Sequence, residues 1–268
     1  MKRLLHFTIG SLLLLFAACD EVALEERFVQ MEAITPRRAV LLEDFTGQWC
    51  SNCPDAHKII NELKEQYGEA LFIAVAVHAG SDKNAILEGS IPGLVGLKQP
   101  EGDDYAARWG IEAYPSGVVN RRGGKSTYQD WPNLVREALL QESSLEMELT
   151  AAENEAGEIA VDVRLLPAAD ISGELQVWIV ESGITALQQV GTALDVAYIH
   201  NHVYRASVNG IWGEKVSLAS NVYKQFTYTL PVKENWVKEN LSVVAFVYND
   251  NGVEQVAESP LVCVKKEE

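Results

Sequence analysis

The chain has 268 residues, 47% of them hydrophobic and 22% charged, the proportions of an ordinary globular protein long enough for two cores. With 22 basic and 38 acidic residues the formal net charge is −16, and such a surface repels nucleic acid and anionic lipid headgroups. Of the 4 cysteines, Cys50 and Cys53 form a close pair and Cys263 is remote, a poor structural framework for an exported protein but a natural redox site once Cys19 is set aside.

Met1-Lys2-Arg3 supplies a basic start, and Leu4 to Ala18 is an apolar run that ends in two small residues. That is the layout of an export signal, too short and too early to be a spanning helix. Leu15-Phe16-Ala17-Ala18-Cys19 then resembles the lipobox of bacterial lipoproteins, in which the cysteine is acylated and becomes the mature N-terminus; Phe16 departs from the usual small aliphatic residue. Several acyl chains on Cys19 would hold the protein stably at a bilayer. Removing residues 1–18 leaves 20 basic and 38 acidic residues. Residues 19–36 read as the acylated cysteine and a tether; their acidic start resembles signals that send some lipoproteins to the outer membrane or cell surface.

Ala39 to Phe45 is predicted as a strand, Cys53 to Tyr67 as a helix with Ala56, Ile59, Ile60 and Leu63 on one face, and Leu71 to Val77 as a strand buried on both faces. Strand, helix, strand implies a parallel α/β unit. Residues 78–104 are rich in Gly, Pro, Asn and Asp and read as an insertion with little regular structure. A short helix from Tyr105 to Gly110 follows, then strands at Ser116–Asn120 and Lys125–Tyr128 around an Arg121-Arg122-Gly123-Gly124 turn, and a helix from Trp131 to Gln141. From Leu145 onward, alternation at 145–149, 159–165, 175–179, 222–230 and 241–248, and a last strand ending near Val264, predict an antiparallel β-sandwich of immunoglobulin or fibronectin type. The expected organisation is therefore an α/β domain at 37–143 and an all-β domain at 144–268.

Cys50-Ser51-Asn52-Cys53 lies between a buried strand and a helix. In thiol–disulfide exchange a thiolate attacks a disulfide sulfur and a second thiol resolves the mixed disulfide. Two intervening residues let the sulfurs meet, and a helix N-terminus stabilises the attacking anion. No second Cys or His pair completes a zinc site, so no metal and no cofactor are expected.

Asp44-Phe45-Thr46-Gly47-Gln48-Trp49-Cys50-Ser51-Asn52-Cys53 resembles the corresponding segment of the thioredoxin superfamily. The resemblance implies a thioredoxin-like fold for 37–143, with Cys50 as nucleophile, Cys53 as resolving thiol and Asp44 as a buried carboxylate that shuttles a proton. It further implies that Gly110 to Val119 carries a cis-proline element, with Trp49, Tyr114 and Pro115 as the substrate-binding residues. Pro54 departs from thioredoxin itself but suits a first helical turn. A second resemblance covers nearly the whole chain. The lipobox, Glu43-Asp44-Phe45-Thr46-Gly47 before C-x-x-C-P, and Tyr198-Ile199-His200-Asn201-His202-Val203 look like the twenty-eight-kilodalton outer membrane protein family, which implies an outer-membrane lipoprotein of adhesive or surface character.

His200 and His202, alternating on one strand, would face one side but lack a third ligand. Gly123-Gly124-Lys125-Ser126 lacks the first glycine of a phosphate loop and reads as a turn. Cys263 between two valines, and Trp178, Trp212 and Trp236, read as core residues. The leading expectation is an envelope thiol–disulfide oxidoreductase, its partners being exported proteins with thiols or disulfides and, through lipid, the membrane. The competing expectation is a surface adhesion or interaction lipoprotein in which Cys50–Cys53 is a stabilising disulfide; a carrier subunit of an envelope complex is a third.

Overall fold

The computed structural model describes residues 38–263. The export signal, the acylated Cys19 and the tether lie outside the described residues. In chain order the elements are β1 (Val40–Thr46), α1 (Cys53–Tyr67), β2 (Phe72–His78), α2 (Pro100–Arg108), β3 (Ser116–Val119), α3 (Trp131–Leu139), β4 (Leu145–Glu153), β5 (Ile159–Pro167) and β6 (Ile171–Glu181). Then come β7 (Ile184–Val190), β8 (Ala193–His200), β9 (Val203–Ser207), β10 (Glu214–Leu218), β11 (Lys224–Leu230), β12 (Leu241–Asn249) and β13 (Gly252–Val262).

Local chemistry accounts for the helix that matters most. Pro54 sits in the first turn of α1, where its missing N–H costs nothing, and Asp55 offsets the positive end of the helix. Ala56, Ile60 and Leu63 form its buried stripe, and Gly68 at φ 79° ends it, donating its N–H to the Lys64 carbonyl at 2.8 Å.

The expected pair of domains, a thioredoxin-like α/β unit followed by a separate antiparallel sandwich, does not form. Among the described residues one mixed sheet of eleven strands runs β11-β5-β4-β13-β12-β6-β9-β2-β1-β3, with β10 added on β6, and β7 and β8 make a separate two-stranded sheet. The continuity comes from β9, which pairs parallel to β2 at Ala76 and Val203 and antiparallel to β6. The His202 carbonyl accepts the Ala76 N–H across that junction at 2.8 Å.

Packing explains why the halves stay together. Val40, Leu42, Phe72 and Ala74 face α1 and α3, whereas Leu41, Phe45, Ile73, Val75 and Val77 share a core with Trp178, Tyr204, Val244, Phe246 and Tyr248. β1 and β2 are therefore buried on both faces, and the second face is covered by strands from the C-terminal half. A further core lies between β4, β5, β6, β12 and β13.

One ion pair crosses the shared core. Arg121 donates from Nη2 to Glu43 Oε1 at 3.0 Å and from Nε to Oε2 at 3.1 Å. Its guanidinium carbon lies 4.3 Å from the Tyr248 ring centre and 4.7 Å from that of Phe246. Arg121 is thus no exposed turn residue, although the turn itself forms, with Arg121 at φ 51° and Gly123 and Gly124 also at positive φ. Lys125–Tyr128 is not a strand; a single bridge joins Gly117 to Ser126.

Candidate functional site

β1 delivers the chain to a tight loop, Gly47-Gln48-Trp49, and the Cys50 N–H closes it on the Gly47 carbonyl at 3.1 Å. Gly47 is required here: a Cβ would stand 2.3 Å from the Asn84 side chain. Cys53 opens α1, and Cys50 and Cys53 form a disulfide with Cα atoms 5.4 Å apart. Cys50 is 7% exposed and Cys53 fully buried.

Two segments cover the pair. The β7–β8 hairpin docks through Gln188, whose Nε2 donates to the Cys50 carbonyl at 3.0 Å and also reaches the Gly47 carbonyl at 3.3 Å. The Gln189 N–H binds the Gln48 carbonyl at 2.7 Å, and the Gly191 N–H binds that of Ser51 at 3.1 Å. The insertion docks through Gln48, which donates to the carbonyls of Val95 and Leu187 and accepts the Leu97 N–H. Neither Gln48 nor Gln188 stands out in the sequence. The available signal was a pair of glutamines inside the apolar segment Leu187-Gln188-Gln189-Val190, polar groups that must find buried partners if the segment is a strand.

The other expected site residues fall as follows. Trp49 is half-buried in the motif loop, its N–H bound to the Asn84 carbonyl at 2.8 Å. The Tyr114–Pro115 bond is cis, and both residues are half-buried; Tyr114 leans over Gly80, where a Cβ would lie 2.9 Å from its hydroxyl. Asp44 is fully buried, and burial pushes its carboxyl up to about 8. Its Oδ2 lies 3.7 Å from His57 Nε2. Cys263 is half-buried beside the C-terminal core, Trp178 and Trp236 are buried, and Trp212 packs on the shared core.

Asp44 leads to a feature that the sequence did not announce. His57 follows Cys53 by four residues, one turn along the same helix face. Thr46 pairs with His78 and Asp44 with Ala76 in the β1–β2 register, so these side chains share the sheet face under α1. β8 adds Tyr198 and His200. The result is a cavity of about 50 Å³ lined by Asp44, His57, His78, Tyr198, His200 and His202. His57 is hydrogen-bonded to the Tyr198 hydroxyl through Nδ1 at 2.8 Å and to Thr46 Oγ1 through Nε2 at 3.3 Å.

Burial sets the protonation of this cluster. It lowers His57 to about 4, helped by His200, and lowers His200 itself to about 4. His78 is held well below the usual imidazole range by burial and by its histidine neighbours. All are neutral at pH 7, and so is most of Asp44. His200 and His202 do not share a strand face: His200 ends β8, and His202 lies in the following turn at φ 55°, with Nδ1 at 3.3 Å from Lys64 Nζ.

The family described as "Outer membrane protein Omp28" matches residues 102–263, more than half of the chain. The fold resembles that of HBP35 of Porphyromonas gingivalis, with TM-score 0.66 and 15% identity over 88% of this chain and 80% of that one. This agreement over both halves again speaks against a thioredoxin-like unit joined to an independent sandwich. A domain of the outer membrane lipoprotein Omp28 from the same organism is 26% identical over 47% of this chain and 93% of its own, at a TM-score of 0.34 too low to carry an argument. Comparison with curated proteins gave no match.

Proposed function

The chain belongs to the Omp28 outer membrane protein family, and on that premise we propose that it is an adhesion or interaction lipoprotein held at the outer membrane through an acylated Cys19. The family agrees with the envelope, outer-membrane location expected from the sequence. The observation that carries the reading is the covering of Cys50: its sulfur is engaged in a disulfide, and the carbonyls of Gly47, Gln48, Cys50 and Ser51 are engaged by the β7–β8 hairpin. A closed and covered disulfide acts as a staple that fixes the motif loop as a platform for the hairpin. For so short a loop, chain-entropy arguments give it about 2 kcal/mol.

The test combines turnover and stability. Insulin reduction by the wild type should equal that of Cys50→Ser, while Cys50→Ala/Cys53→Ala should unfold at a lower temperature by several degrees. Turnover clearly above the Cys50→Ser background overturns the staple reading.

A second reading keeps one specific observation in its favour: a wholly buried Asp44 with a pKa raised to about 8 on the strand that leads into the cysteine pair. In that reading an external dithiol reductant first opens the Cys50–Cys53 disulfide; the Cys50 thiolate then attacks a disulfide of an exported protein, Cys53 resolves the mixed disulfide and re-forms the pair, the ionised fraction of Asp44 accepts the Cys53 proton and returns it to the released substrate thiolate, and Trp49, Tyr114 and Pro115 contact the substrate. The hairpin must then move aside in each cycle.

A further inference from the structure

We propose that the cavity between β1, β2, α1 and β8 binds one divalent transition-metal ion of the zinc class, held by Asp44, His78 and His200. These three side chains are at most 2% exposed, and none of their six polar atoms makes a well-formed hydrogen bond. Buried polar atoms are nearly always satisfied, so three side chains without a hydrogen bond on the wall of one cavity point to a missing partner. Their neighbours differ: His57 is engaged by Tyr198 and Thr46, and His202 by Lys64.

Spacing and chemistry select the ion. The His78 and His200 ring centres are 5.5 Å apart and inclined at 63°. Two imidazoles sharing a tetrahedral ion at about 2 Å from each nitrogen have centres roughly 5 Å apart. Two imidazoles and a carboxylate suit Zn²⁺ and its neighbours, whereas Ca²⁺ and Mg²⁺ want an oxygen shell and Cu(I) wants thiolates. No three such donors already converge as a ligand set among the described residues. The ion must therefore draw the two rings inward, and the cavity of about 50 Å³ gives them room to turn.

The test uses the full chain, stripped of metal by a chelator and titrated with Zn²⁺ and with Co²⁺. Calorimetry, metal analysis after gel filtration and the visible absorption of bound Co²⁺ are the readouts. One tightly bound equivalent is expected. Affinity should fall about 100-fold or more in His78→Ala and in His200→Ala, and stay unchanged in Cys263→Ser. Asp44→Asn keeps the side-chain shape and should also weaken binding, so a packing defect in either histidine variant does not hide the answer. Absence of a stoichiometric ion in the wild type, or binding that survives all three changes, overturns the proposal and leaves the cavity to water.

Discussion

Replacing Gln188 by Met tests whether the β7–β8 hairpin controls access to the disulfide. The side chain is fully buried and its amide lies within reach of three carbonyls, those of Gly47, Cys50 and Gln189, at 3.0–3.3 Å. An NH₂ group has two protons, so two of these bonds are made at full strength at a time. Methionine fills similar space but removes the amide's donations, leaving the Gly47 carbonyl with the Cys50 N–H and the Cys50 carbonyl with the Cys53 N–H. Two net hydrogen bonds amount to about 1–3 kcal/mol in the docked state. If reductant reaches Cys50 by local opening of the hairpin, the open fraction and the reduction rate rise roughly 5-fold to 100-fold. The assay follows reduction by dithiothreitol at fixed pH with alkylation and mass analysis of Cys50 and Cys53. Global stability is measured alongside by urea unfolding. An unchanged rate in Gln188→Met, or a rise that a globally destabilised variant reproduces, refutes the cover.

Three further outcomes are expected, the pH series being measured with chelator present. Asp44 has its carboxyl raised to about 8, so its contribution to stability is full below about pH 4 and is lost as pH rises toward 8; urea unfolding should show Asp44→Asn gaining over wild type across that window, by a few kcal/mol at its upper end, and parallel curves would refute it. His200 is lowered to about 4, so its contribution is full above about pH 6.5 and is lost as pH falls toward 4. His200→Gln should remove about 2–3 kcal/mol of that acid loss, read from the same pH series. Arg121→Met leaves Glu43 buried without its bidentate partner, so chemical denaturation should report a loss of about 3–5 kcal/mol, and Glu43→Gln/Arg121→Met should recover much of it.

Most of the regular elements were legible because their signals are local. α1 carries its stripe, its Pro54 and its terminating Gly68 within sixteen residues, and it runs from Cys53 to Tyr67 as expected. Within 184–218 only a strand carrying His200 and His202 was expected, and the rest was not read. β7 and β8 slip register between Ala186 and Gln188, which breaks the alternation, and most of β8 is exposed, so no apolar face records its partner. The strands are placed by Gln188, Gln189 and Gly191 gripping the backbone of the motif loop, an interaction between positions some 140 residues apart. The site was legible to the same extent: Cys50, Cys53 and Asp44 lie on local motifs, whereas His57, His78 and His200 come from three elements with no shared spacing.

The error about the fold was nonetheless written in the sequence. A strand in a two-layer sandwich shows one face to solvent and alternates; Ile159 to Leu165 in β5 does so. Leu175 to Glu181 in β6 and Val243 to Tyr248 in β12 do not. They are continuous runs, and every residue in them is buried. Such runs require cover on both faces, which a sandwich of 144–268 alone does not offer them. β1 and β2 pose the same demand, and α1 and α3 cover only one of their faces. Two sets of doubly buried strands, each short of one covering layer, satisfy each other in a shared core with Trp178, Phe246 and Tyr248 at its centre and the Glu43–Arg121 pair running through it. The same union brings β8 over the end of α1. The covered disulfide and the histidine-lined cavity are therefore consequences of joining the two halves, and neither belongs to one half alone.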